Sequence, residues 1–261
     1  MYLIFDTETT GLPRDYNAPL TDSDNWPRLV QIAWQLHGAD GKLMEARSFI
    51  VRPEGFDIPF NAEKVHGIST AKALAEGEDL RTVLDEFGKA LEMTRFLVGH
   101  NIGFDISIIG AELLRIEREN VLTRFGVIDT KDELTDYCAL PGGKGGKFKW
   151  PKLAEMHKKL FGEGFDEAHN ATADVVATAR CFLEAVRIGV ISAKKAGLEG
   201  DAINAFKAAN PSQVPPADIS VGTQVADAKK GTSDPSTGTG QAEGQGTRDE
   251  GQGVKSQANP L

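Results

Sequence analysis

The chain predicts an α/β domain built on a mixed sheet. Three observations carry that expectation. Three extended segments open the sequence, strands then alternate with helices, and the helical segments carry their apolar residues at helical spacing.

Tyr2–Asp6 is a short, mostly apolar strand, and Thr10-Gly11-Leu12-Pro13 punctuates its exit. Residues 13–27 are polar and turn-rich. Extended segments at about 28–37 and 42–51 flank Gly38-Ala39-Asp40-Gly41, which reads as a hairpin. From Asp79 the period changes: Leu80, Val83, Leu84, Phe87 and Leu91 share a helical face, with Asp79 as the cap. Phe96–Gly99 reads as a strand ending at His100, before a helix carrying Phe104, Ile108, Ile109 and Leu113. Gly126–Asp129 is the next strand, with a short helix through Leu134 after it. Residues 138–151 form a Gly/Lys-rich loop, and Pro151 is placed as the first residue of a helix to Leu160. The last strong helix spans about Asn170 to Arg187.

This division gives a working domain at 1–190, a short helical or irregular extension at 191–210, and a polar tail at 211–261. Beyond Phe206 there is no aromatic residue, and the Gly-, Ser-, Thr- and Gln-rich tail is expected to be disordered.

Two cysteines, Cys138 and Cys181, argue against a disulfide framework, and no apolar run approaches the length of a membrane span. The strand-like start lacks the pattern of a secretory signal, so a soluble, cytoplasmic protein is expected. A net charge of −9 disfavours nonspecific wrapping of nucleic acid but not a grip on a few nucleotides, because bound metals supply positive charge at the phosphate.

Candidate chemistry sits in three clusters. Asp6 and Glu8 in FDTETTG lie two apart at a strand end, where alternation sends both carboxylates to one side and Thr7 to the other. Taken alone, the pair fits a polar strand end equally well. Asp105 in HNIGFD lies in the first turn of a helix after a strand, either as a dipole-favoured acid or aimed at the sheet's carboxyl edge. His100 and Asn101 are read as shaping that junction by hydrogen bonds. In HNATAD, His169 sits at a helix mouth capped by Asn170, and Asp174 lies deeper among small apolar residues. Four carboxylates at one point repel one another without cations, so two divalent metal ions are the expected occupants. A nearby histidine supplies a base that titrates near neutrality.

Together the three clusters, with VHGIS at Val65–Ser69, resemble the DEDDh (DnaQ-like) 3′–5′ exonucleases, the group containing the proofreading subunit of bacterial replicase. The resemblance covers about residues 1–188 and implies a ribonuclease H-like fold with two Mg²⁺ or Mn²⁺ ions as cofactors. It implies Asp6, Glu8, Asp105 and Asp174 as metal ligands and His169 as general base. Asp129 stays outside this set, as a helix cap. Thr9, Thr10, Gly11, Leu12, His66 and Phe104 are the candidates to receive the terminal nucleotide, with His66 expected exposed in a turn and Phe104 also suited to the core.

Lys144, Lys147, Lys149 and Lys152 flank Trp150, a stretch suited to holding phosphates or to being an ordinary loop anchored by Trp150. The implied activity is hydrolysis at a single-stranded or frayed DNA 3′ end, releasing nucleoside 5′-monophosphates in proofreading or repair. RNA-end processing is the enzymatic alternative, because the reacting phosphodiester is the same. A noncatalytic polymerase-associated subunit is the alternative outside enzymes. A DNA polymerase as protein partner and a homodimer through the sheet or an outer helix are both left open.

Overall fold

The structure is a computed structural model and describes residues 1–165 and 170–213. Five strands form one sheet: β1 (Tyr2–Thr9), β2 (Leu29–His37), β3 (Leu43–Ile50), β4 (Phe96–Gly99) and β5 (Gly126–Asp129), in the order β3-β2-β1-β4-β5. The first three are antiparallel neighbours, whereas β4 and β5 run parallel to β1. The expected mixed sheet is therefore present. Antiparallel pairing follows from the tight 38–41 turn, closed by the Gly38 N–H on Lys42 O at 2.9 Å. Parallel pairing follows from the helical crossovers between β1, β4 and β5.

Strand alternation divides the core into two layers. Leu3 and Phe5 of β1 face α3 (Leu80–Glu92) and α4 (Ile102–Arg115), packing with Val83, Phe87, Ile108 and Ile109. Tyr2 and Ile4 face the other side, against Val175 and Phe182 of α8 (Ala171–Ile188) and Met156 of α7 (Leu153–Phe161). The caps follow the side chains: Asp79 accepts from Thr82 N and Asn170 from Thr172 N.

Two short helices, α1 (Phe60–His66) and α2 (Thr70–Glu76), occupy the connection to α3. Each has only seven residues, too few to print a clear apolar period. After β5 come α5 (Thr130–Glu133) and α6 (Thr135–Cys138). The helix placed at Pro151 begins two residues later, at Leu153. The Pro151 carbonyl is engaged by His100 Nε2 at 3.0 Å, and Glu155 Oε2 caps the Lys152 N–H at 2.8 Å, which sets the helix start.

Residues 191–210 pack as part of the same body. Ile191, Ala196, Leu198 and Phe206 enter the α8-side core, and α9 (Ala202–Ala209) carries Phe206. The tail expected to be disordered lies, from residue 214, outside the described residues. Cys138 and Cys181 are both buried and unpaired. Among the described residues no helix is long and apolar enough to cross a membrane.

Candidate active site

Asp6 and Glu8 share the face of β1 that meets α8, as alternation requires, and both are half-buried. Asp174 comes to them from the first turn of α8. Carboxylate oxygens of Asp6, Glu8 and Asp174 all lie within 4.8 Å of one another. Two motifs more than 160 positions apart thus converge because α8 packs along β1.

Asp105 arrives from the opposite face. It lies in the first turn of α4, is buried, and accepts from Thr7 twice: from the backbone N–H at 2.9 Å and from the hydroxyl at 2.6 Å. Thr7 is the strand residue that points away from Asp6 and Glu8, so it ties the α4 carboxylate to the strand carrying the other two. Sequence reasoning noted the side Thr7 faces but gave it no role. The available signal was a hydroxyl between two carboxylates, on the face to which α4 packs.

Crowding shows in the titration of these acids. Burial, then Asp105, Asp174 and Glu8, hold Asp6 well above the ordinary carboxylate range. Burial and the charges of Asp174 and Asp105 push Glu8 up to about 7. Burial also pushes Asp105 to about 7, even though the two Thr7 hydrogen bonds favour its ionised form. Closely grouped oxygens that suppress one another's ionisation suit hard divalent cations, which remove that penalty.

The HNIGFD junction has the shaping role expected of it. His100 Nε2 donates to Pro151 O, and Nδ1 lies 3.2 Å from Thr130 Oγ1. Burial lowers the His100 pKa to about 4, so the ring is neutral near pH 7. Asn101 adopts a left-handed φ of 68°. Its N–H donates to Asp129 Oδ1 at 2.8 Å, and the same oxygen caps Lys131 N at 3.0 Å. Asp129 is the cap expected of it, with a second bond that fixes the turn before α4.

The candidates for the terminal nucleotide occupy varied settings. Thr9 is buried and its hydroxyl donates to Gly11 O at 2.6 Å. Thr10 Oγ1 accepts from Arg28 N at 2.9 Å, which stitches the exit of β1 to β2. Leu12 is 72% exposed and Phe104 half-buried against the α3/α4 layer. His66 differs from the exposed turn residue expected. It is buried at the end of α1, with Nδ1 accepting from Ile68 N at 3.1 Å and the Thr9 backbone as a further polar neighbour of the ring. The turn at Gly67 folds the ring inward by supplying the Ile68 N–H to it. His169 lies outside the described residues.

A cleft of about 450 Å³ opens beside the carboxylates, lined by Asp6, His100, Pro151, Lys152, Leu153, Ala154, Phe165 and Asp174. Its α7 wall was absent from the sequence-based site.

Residues 3–182 match the RNase_T family, described as Exonuclease. The chain belongs to the DEDDh exonuclease family. Among curated relatives, the DNA polymerase III subunit epsilon of Rickettsia felis is 32% identical over 135 residues, 49% of this chain and 52% of that protein. That of Rickettsia conorii is 32% identical over the same length, covering 51% of the relative. The chain thus spans about half the length of the curated relatives it matches. Among solved structures, E. coli Exonuclease I with a dA16 oligonucleotide aligns at a TM-score of 0.57 and 20% identity. The alignment covers 75% of this chain and 42% of that one. The zinc-ion-bound form of the E. coli enzyme with single-stranded DNA aligns at 0.56 and 20%, with the same coverage. At that identity the likeness speaks for the shared fold, and this DEDDh chain has the ribonuclease H-like architecture of its family.

Proposed function

We propose that this DEDDh chain is a two-metal 3′–5′ exonuclease that hydrolyses DNA from its 3′ end and releases nucleoside 5′-monophosphates, in proofreading or repair. The observation that supports it best is the convergence of Asp6, Glu8 and Asp174 oxygens within 4.8 Å, with Asp105 buttressed beside them by Thr7. Asp6, Glu8, Asp105 and Asp174 would hold two Mg²⁺ or Mn²⁺ ions. Bound there, the ions supply an activated water and neutralise the charge that grows on the phosphate.

The chain's own residues do the remaining work. His169, the family's base position, would accept the proton of the attacking water. Thr7 would keep Asp105 ionised and aimed, through its hydroxyl and N–H. Thr9, Thr10 and Gly11 would line the path of the last nucleotide, with Leu12 and Phe104 against its base or sugar. His66, buried at the end of α1, would stand beside the Thr9 backbone along that path. The relatives named polymerase subunits favour a DNA substrate and a polymerase partner for this chain as well.

The test is turnover of end-labelled single-stranded DNA, matched RNA and a mispaired duplex, with and without Mg²⁺ or Mn²⁺. Ladders shortening from the 3′ end of DNA, abolished by Asp6→Asn, are the expected result. Preference for RNA would move the enzyme to RNA-end processing. Divalent-dependent activity surviving in Asp6→Asn would overturn the site.

A further inference from the structure

Residues 139–152 hold four lysines and no acid, in a chain whose net charge is −9. The loop is folded rather than loose at its base. Lys149 N–H donates to Leu140 O at 2.9 Å, and Lys149 Nζ reaches Glu155 at 2.7 Å. Gly143 makes the fold-back feasible, since a Cβ there would run into the carbonyls of Lys147 and Phe148.

The folded loop turns its aromatic residues outward. Trp150 is 65% exposed and Phe148 45%, so the reading of Trp150 as a buried anchor does not hold. An aromatic pair left in water is a cost that the fold does not require. Lys131 Nζ sits 4.2 Å from the centre of the Trp150 ring and is oriented by Asn101 Oδ1 at 2.7 Å, so one face of the indole is supported and positively charged. Lys144, Lys147 and Lys152 make no ion pair among the described residues. Together Lys144, Lys147, Phe148, Lys149 and Trp150 line a cleft of about 830 Å³, in which Asp136 is the one acidic wall residue among the described residues.

Position selects the occupant. Pro151, next to Trp150, and Lys152 line the cleft that contains Asp6 and Asp174. The two clefts are thus lined by consecutive residues on either side of the Trp150–Pro151 peptide. A polyanion whose end lies at the carboxylates would run past Lys152 and emerge over Trp150.

We propose that the 141–150 loop is a binding platform for the single-stranded part of the nucleic acid, upstream of the scissile bond. Trp150 and Phe148 stack on unpaired bases there, and Lys144 and Lys147 meet the phosphates between them. Duplex DNA does not fit this role, because its base faces are already stacked. The inference rests on the nuclease reading of the carboxylates and adds to it a second binding site, for the unpaired nucleotides upstream of the cut.

Trp26 and Trp34 are 4% and 1% exposed, so quenching of tryptophan fluorescence by a nucleic acid reports Trp150. The titration uses full-length Asp6→Asn protein in EDTA, where neither turnover nor metal contributes, with a thymidine 12-mer as probe. Saturable, salt-sensitive quenching is expected. It should vanish in a Trp150→Leu background, and Lys144→Ala/Lys147→Ala should raise the Kd by roughly tenfold or more. In the catalytically intact protein, Trp150→Leu should raise KM for the 12-mer and leave hydrolysis of the p-nitrophenyl ester of thymidine 5′-monophosphate unchanged. Absence of quenching, equal quenching by polyglutamate, or equal loss on both substrates would overturn the platform. Intact protein that cleaves neither substrate with Mn²⁺ would instead overturn the nuclease reading.

Discussion

Asp6 has the strongest reason to destabilise the metal-free protein. Burial and three neighbouring acids push its carboxyl well above the ordinary carboxylate range. Replacing it with Asn keeps the shape and removes the cost of ionising an acid there. Asp6→Asn should therefore raise the Tm of EDTA-treated protein while lowering exonuclease turnover by about a thousandfold or more, read by thermal unfolding and by single-turnover cleavage. A variant equally active in Mg²⁺ would remove Asp6 from the site. Thr7→Val should act through Asp105, which keeps the N–H bond and loses the hydroxyl. A drop in turnover of roughly ten- to a hundredfold is expected, with rescue by Thr7→Ser and little change in unfolding.

Glu8 gives the pH dependence. Its ordinary pKa of 4.5 rises to about 7 in the folded chain. The folded state then holds a proton that the unfolded state has released. The stability this contributes is complete below 4.5 and is lost as pH climbs through 7. Buried His37, His66 and His100 work in the opposite direction below their ordinary 6.5 and the N-terminal amine below 8, so Glu8 is read as a difference between proteins over pH 6.5 to 8. Across it the metal-free wild type should lose Tm more steeply than Glu8→Gln. Saturating Mg²⁺ should erase the difference, and parallel slopes in EDTA would contradict the shift.

At the scale of elements, His100 couples the end of β4 to the start of α7. Its ring donates to Pro151 O, the carbonyl that ends the lysine loop. His100→Ala leaves that carbonyl without its donor. A loss of about 1–3 kcal/mol in urea unfolding is expected, with faster amide exchange confined to the α7 start. Elements with a strong period were legible before any coordinates: all five strands, α3, α4 and α8 lie where alternation and helical spacing put them. The seven-residue α1 and α2 were missed because fewer than two full turns carry little pattern. The start of α7 was displaced because Pro151 satisfies the local rule for a first helical residue, while a contact from 51 positions away claims its carbonyl. The site followed the same division. The convergence of Asp6, Glu8 and Asp174 was readable as motif spacing. The Thr7–Asp105 bond and the burial of His66 depend on tertiary packing that no local pattern encodes.

For the whole molecule, the notable feature is how the segment after α8 completes the fold. The loop at 191–198 brings Ala196 O to the Tyr2 hydroxyl at 2.6 Å, so the first strand is fastened from the far end of the domain. Then α9 returns to the β2–β3 hairpin, where Asn210 Nδ2 donates to Asp40 O at 2.7 Å. Gly41 permits that approach: its φ of 79° favours glycine, and a Cβ would collide with Asn210 and the Phe206 ring. Phe206 is fully buried and meets Tyr2 edge-on at 6.5 Å between ring centres, behind the strand that carries Asp6 and Glu8. Phe206→Ala should cost roughly 3–5 kcal/mol, because a large aromatic leaves a cavity between the strand and α9 that the backbone fills poorly. The clustered carboxylate oxygens lie at the other end of β1, so turnover per folded molecule in Mg²⁺ should stay near wild type at low temperature and collapse roughly 6–20 °C earlier on heating. Calorimetry paired with activity at 15 °C checks both halves. A Phe206→Ala protein with unchanged Tm would mean that α9 is an appendage, and that the domain stabilises its active-site strand without it.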